Sequence, residues 1–345
     1  MFWSWLLITL QNPFLQPFTF NYMPVLGVFL AIALLALKLI KGEAVPVKRE
    51  VVLVSALYLV VVLTSLGTKN PLLIVSTLLL PLVLVYFSHD YEKFKRVIEI
   101  TLWVHVLFFF TQVIGFILFQ TYIDPMAYIS SEHSSVFSQK GLKLFDTIIP
   151  RFSGLYSEPG NYATWVFLQF IMIARYRENK LLTSLVFISV LLSFSAFGYI
   201  YLLLYFLYLL VVKKRVSIIF WSSPLIAYLL YLINVRVGLG YGIYDRLEQV
   251  SSMFNIDFLL FGLSNTHYEV LMVEDLGLWY ALFAYGGIFL FAVFALFFLY
   301  RMPLLSFVVF TSKVKVFYPF LYLYIIFLIY SKYAKSKKIS KCKSL

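Results

Sequence analysis

LLTSLVFISVLLSFSAFGYIYLLLYFLYLLVV, residues 181–212, runs for 32 positions without a charged side chain. As one α-helix it would measure roughly 48 Å, well beyond the ~30 Å hydrocarbon layer of a bilayer. Ser193, Ser195, Ala196 and Gly198 supply the small residues at which such a run can break, so the stretch predicts two helices, 181–194 and 198–212. The same kind of run recurs along the chain. Of its 345 residues, 62% are hydrophobic, 20% aromatic and only 13% charged, with a mean hydropathy of +0.90. A water-soluble domain has no means of hiding that much apolar surface. The runs are roughly 17 to 24 residues long, the length that crosses a bilayer as helix.

Spans are expected near 2–19, 23–40, 51–66, 71–87, 97–119, 161–176, 181–194, 198–212, 216–233, 276–299, 303–313 and 316–331. The fold class this predicts is an all-α polytopic membrane protein, one transmembrane domain over 1–345 with about 12 helices. Eleven remain possible, because 303–313 is too short to cross alone and Gln11, Asn12 and Pro13 interrupt the first run. The opening MFWSWLLITLQNPF has no basic leader and no small-residue cleavage site, so it reads as a retained first span.

The net charge of +12 invites a nucleic-acid partner, but the basic residues occupy connectors between apolar runs and read as topology signals. An even number of crossings puts both termini on one side, and the basic tail 332–345 marks that side as cytoplasmic. Twenty of the 28 Lys and Arg residues then face inward. Lys69, Lys140, Lys143, Arg151, Arg236, Arg246, Lys313 and Lys315 face outward. Two long connectors, 120–160 and 234–275, also fall on the outer, periplasmic side and hold most of the chain's plausible chemistry. Cys342 is the sole cysteine, so no internal disulfide or cysteine metal cluster can form. No nucleotide-binding loop, metal-ligand spacing or catalytic triad stands out, and neither metal nor cofactor is expected.

The first long connector closes with RFSGLYSEPGNYA, residues 151–163. Pro159 suits the first turn of a helix, with Ser157 or Glu158 as its cap, so a helix N-terminus opens just beyond Arg151. Backbone N–H groups beside an arginine fork form an arrangement that favours a diphosphate. The plainer alternative is that Arg151 anchors the loop to lipid headgroups and Glu158 only caps. In the second connector a helix starting at Thr266 would put His267, Leu271 and Glu274 on one face. The same pattern also fits an interfacial turn with solvated side chains, and Arg246 has Asp245 and Glu248 as local partners. His105 and Gln112 lie seven apart within 97–119, on one helix face. Intramembrane polar residues point to function by default, yet here the favoured reading is hydrogen bonding inside the bundle.

Taken together these residues resemble the Wzy-type O-antigen polymerases and the related O-antigen ligases. The carriers are Arg151, Gly154, Pro159 and Ala163 at a helix start, Ser193, Ser195 and Gly198 at a helix break, and Asn265, His267, Glu274 and Gly277 before a later span. Ala196 stands where many relatives carry arginine, and Tyr162 and Asp257 where some polymerases carry glycine. The resemblance implies inverting, metal-independent glycosyl transfer at the periplasmic face of a bacterial inner membrane. Undecaprenyl-diphosphate-linked oligosaccharides would be the substrates. Arg151, Arg236 and Arg246 would bind the diphosphate, and His267, or one of the carboxylates Glu274 and Glu158, would take the hydroxyl proton. A chain-length regulator and a flippase are the partners it implies, besides the bilayer. The alternatives are a ligase that passes glycan to a lipid A core and, from another class, a lipid-linked oligosaccharide flippase.

The predicted orientation has a direct check. With Cys342 replaced, single cysteines at Lys140 and Gln249 should react with an impermeant thiol reagent from the periplasmic side, whereas probes in the 332–345 tail should not. Protection at both loop positions with a labelled tail reverses the orientation.

Overall fold

The computed structural model describes residues 23–43, 91–124, 142–144, 147–156, 158–174, 179–213, 256–261 and 278–301, with isolated positions between 49 and 86 and between 223 and 231. Helices dominate. They are α1 (Met23–Ile40), α2 (Tyr91–Phe119), α3 (Pro159–Ala174), α4 (Lys180–Leu192), α5 (Ala196–Lys213), α6 (Ile256–Phe261) and α7 (Leu278–Arg301). The exception to an all-α chain is a strand pair inside the first long connector, β1 (Leu142–Leu144) and β2 (Thr147–Ile149), antiparallel with Leu142 opposite Ile149 and Leu144 opposite Thr147.

The expected spans 23–40, 161–176, 181–194, 198–212 and 276–299 coincide with helices to within two or three residues. The helix expected at 97–119 begins six residues earlier, at Tyr91. Glu92, Lys93, Lys95 and Arg96 are good helix formers, so the helix extends past the point where the apolar run stops. The expected spans 2–19, 303–313 and 316–331, and most of 51–66, 71–87 and 216–233, lie outside the described residues, as does the 332–345 tail. Among the described residues one helix, Lys95–Phe119, is both long and apolar enough to cross a membrane. At 16 and 13 residues, α3 and α4 measure roughly 24 and 20 Å.

Contacts divide the chain into two compact units. The first comprises 1–104, 169–179 and 316–345. Within it Ala31 and Leu35 form a buried i, i+4 stripe on α1, and the Lys38 ammonium lies 5.5 Å from the ring centroid of Tyr86.

The second unit comprises 105–168 and 180–315 and contains the strand pair and most of the helices. Within this unit every residue of α3 from Tyr162 to Leu168 is buried, the pattern of a helix with no solvent face. Tyr201 and Tyr205 of α5 and Phe187 of α4 close around Phe167, with ring centroids 5.7, 6.1 and 6.4 Å away. Thr164 and Tyr201 share a hydrogen bond of 3.0 Å between α3 and α5. Other helix hydroxyls turn back on their own helix. Thr101 donates to the Val97 carbonyl, Thr111 to Leu107, Ser189 to Val186 and Ser193 to Val190, at 2.7–3.0 Å. A hydroxyl used in this way needs neither water nor a second helix.

The break inside residues 181–212 falls where the small residues are. Helix α4 stops at Leu192, Phe194 takes a left-handed φ of 50°, and Ser195 caps α5. The Ser195 carbonyl accepts the Tyr199 N–H at 3.1 Å, and its Oγ accepts the Gly198 N–H at 3.4 Å. Further along, Gly287 within α7 has a φ of 58°, which interrupts the helical ladder. Phe283 and Phe291, about 12 Å apart along a straight axis, stack at 4.4 Å across that interruption.

Helix α3 meets the break at Gly198, where an added Cβ would lie 2.9 Å from Val190 Cγ1 and 3.2 Å from Ala163 Cβ. Alanine favours helix over glycine, yet Gly198→Ala should lower stability by about 1–3 kcal/mol through overpacking. Thermal unfolding in detergent checks this. Val190→Ala removes the nearest atom, so the two substitutions together should cost less than their sum.

Candidate functional site

Two elements build the site at the start of α3. The first is the 151–156 turn, whose geometry follows from Gly154. This residue has a φ of 60°, in the left-handed region where an ordinary side chain costs about 1–2 kcal/mol. A Cβ there would also lie 3.0 Å from the Tyr162 ring. The Tyr156 N–H donates to the Ser153 carbonyl at 3.0 Å, closing the turn, and the Tyr162 N–H donates to the Glu158 carbonyl at 3.0 Å, opening α3. Glu158 is therefore the N-cap residue and Pro159 the first helical residue, the place where a missing N–H costs nothing. Glu158 is exposed, and a carboxylate at that end suits the helix dipole.

The second element is α2, which supplies the polar side chains that hold the turn. Gln112 is fully buried and makes three hydrogen bonds. Its Oε1 accepts the Gly154 N–H at 2.8 Å, and its Nε2 donates to the Gly154 carbonyl at 3.0 Å and to the Ile123 carbonyl at 2.7 Å. Two turns toward the N-terminus of α2, His105 Nε2 lies 3.4 Å from the Tyr156 hydroxyl, with the rings 5.1 Å apart; which atom donates depends on the imidazole tautomer. The sequence spacing of seven thus brings both side chains to one stretch of backbone, 153–156. Tyr122 adds a contact of 3.4 Å between its hydroxyl and Ser153 Oγ.

Aromatic packing fills the remaining space. Tyr162 stacks on Phe109 at 4.6 Å, and Phe152 sits edge-on to Phe109 and Phe116, each 6.0 Å away. Phe152 and Ser153 are buried while Arg151, directly before them, is half-buried, with its Nε out of solvent's reach. The guanidinium accordingly issues from a backbone that is fixed on its C-terminal side. A cation on a fixed turn that leads within eight residues into a helix N-terminus is chemistry that can receive an anion.

Of the residues singled out from sequence, Arg151 is half-buried at the head of the turn that leads into α3, and Glu158 is the exposed N-cap of that helix. Arg236, Arg246, His267 and Glu274 lie outside the described residues. Sequence reasoning did not connect Gln112, His105 and Tyr122 with the arginine turn. The available signal was two polar residues seven apart in an apolar helix, with no partner nameable from spacing. Among the described residues no group of three or more His, Cys, Asp or Glu side chains could hold a metal ion. In comparisons with known proteins, no family model, curated protein or solved structure matches the chain.

Gly154 generates the sharpest expectation. Gly154→Ala should destabilise the protein by about 1–3 kcal/mol, from left-handed strain and displacement of the Tyr162 ring, read as a lower melting temperature in detergent. Gly154→Asn tolerates the backbone but not the ring contact, so it should recover only part of the loss. An unchanged melting temperature for Gly154→Ala would show that the turn does not depend on this residue.

Proposed function

We propose that the chain is a multi-span inner-membrane glycosyltransferase that polymerises undecaprenyl-diphosphate-linked oligosaccharide repeats at the periplasmic face. The observation that carries this reading is the half-buried Arg151 at the head of a buried, hydrogen-bonded turn that leads into the N-terminus of α3. Membrane placement has separate support from α2. Its buried side includes Thr101, His105 and Gln112, while Ile100, Val104, Leu107, Ile114 and Ile117 are exposed. A helix of membrane-spanning length that is largely apolar on its buried side and aliphatic over much of its exposed side is suited to lipid.

The chemistry is a single displacement. A hydroxyl oxygen of one lipid-linked repeat attacks the anomeric carbon of the glycan on a second undecaprenyl diphosphate. The new glycosidic C–O bond forms as the bond from that carbon to the diphosphate oxygen breaks, with inversion. Undecaprenyl diphosphate leaves with the electron pair, and the hydroxyl proton passes to a base. Arg151, joined by Arg236 and Arg246, would balance the charge that develops on the leaving diphosphate, an interaction stronger in the transition state than in the ground state. His267, Glu274 and Glu158 are the groups proposed to take the proton. Histidine is suited by an ordinary pKa near neutrality.

Deleting the gene tests the reading against its rivals. Loss of a polymerase leaves single repeats that a separate ligase still attaches, so lipopolysaccharide should end in one repeat. Ligase loss would leave long chains on the lipid carrier with a bare core, and flippase loss would trap single repeats on the cytoplasmic side. The purified protein, given lipid-linked repeats with chelator and no nucleotide sugar, should make a ladder of lengths. A deletion strain that still builds long chains on the carrier rules the polymerase out.

A further inference from the structure

We propose that Gln112 is a positioning residue that sets Arg151 for diphosphate binding by clamping both ends of the first outer loop to α2; the proposal rests on the diphosphate reading of Arg151 given above. The clamp has two parts. One primary amide takes both the N–H and the carbonyl of Gly154, which fixes the backbone on either side of a single Cα. The same Nε2 also donates to the carbonyl of Ile123, four residues after α2 ends. The chain therefore leaves α2 at 120–123 and returns at 154, and one side chain holds both points.

The two bonds to Gly154 are buried and the one to Ile123 partly so, and Gln112 itself has no solvent exposure. Water cannot replace the Gly154 pair when it is lost, so its removal leaves the Gly154 N–H and carbonyl seeking partners. Arg151 is three residues from Gly154, joined to it through the buried Phe152 and Ser153. No slack lies between the clamp and the arginine. Freedom gained at Gly154 passes directly to the guanidinium and to the first turn of α3. Gln112 itself acts only through Arg151.

Gln112→Met keeps length and approximate volume and removes every hydrogen bond. Two measurements on the purified full chain read its effect. The first is trypsin cleavage after Arg151, which requires the 151–153 backbone to leave its buried setting. Cleavage there should quicken about tenfold, the equivalent of one to two lost hydrogen bonds, relative to cleavage in the lysine-rich tail. The second is affinity for undecaprenyl diphosphate, which should fall about tenfold in the Met variant. On an Arg151→Ala background the Met substitution should cause no further loss, because the group it positions is gone.

Gln112→Glu provides a second variant should the Met protein fail to fold. A neutral carboxyl still accepts the Gly154 N–H and donates to one carbonyl, so it should lie between wild type and Met in both measurements. Cleavage unchanged in both variants, or an affinity loss equal on the two backgrounds, overturns the proposal. Should cleavage respond as expected while the wild-type protein binds no undecaprenyl diphosphate, the diphosphate reading fails and the clamp's hold on Arg151 stands.

Discussion

The amide of Gln112 meets a requirement that any buried backbone must satisfy. Where the chain approaches α3, the N–H and carbonyl of Gly154 lie beyond regular helix and out of water's reach, and where it leaves α2 the Ile123 carbonyl is partly so. Each would cost roughly 1–3 kcal/mol if left unmet. One glutamine side chain serves the carbonyl of Ile123 and both polar groups of Gly154. Because those groups belong to the two ends of the first long connector, satisfying them also fixes its base. The turn, the aromatic packing around Phe152 and the placement of Arg151 all depend on that solution.

A second constraint runs through the helices. Hydroxyls of Thr101, Thr111, Ser189 and Ser193 are returned to carbonyls about one turn earlier, and those of Thr164 and Tyr201 are shared between helices. Polar side chains thus persist inside an apolar chain without demanding solvent. Small residues do complementary work. Gly198 and Ala163 let α5 approach α3 closely, and Ser195 ends one helix and caps the next. The helix break and the arginine turn, far apart in sequence, consequently meet along α3, which is buried on all sides from Tyr162 to Leu168. The proposed chemistry draws on this arrangement, since a charge-stabilising site gains from donors whose positions are set before the substrate arrives.

Much of the helical framework was legible in the primary structure because it rests on local properties. Hydrophobic length, a run of 32 uncharged residues and a cluster of small residues locate α3, α4, α5 and their boundary. Proline after a cap residue locates the start of α3. Where the early start of α2 escaped detection, the reason is also local: hydropathy marks where apolar character begins, whereas a helix continues through Lys95 and Arg96 as readily as through leucine. The β1–β2 pair and the short α6 lie in stretches read for charge, not for pairing.

Sequence by itself determined that the chain is rich in apolar helices, that residues 181–212 must break near Ser195, and that an arginine precedes a helix N-terminus at Pro159. Hydropathy, helix length and capping act over a few residues and leave their mark within a short window. Only the tertiary structure decided what Gln112 and His105 are for. Their spacing put them on one face of α2, but their partners are 42 and 51 positions further along. A buried amide can meet any backbone that reaches it, so its partner is chosen by the folded chain and not by the residues beside it.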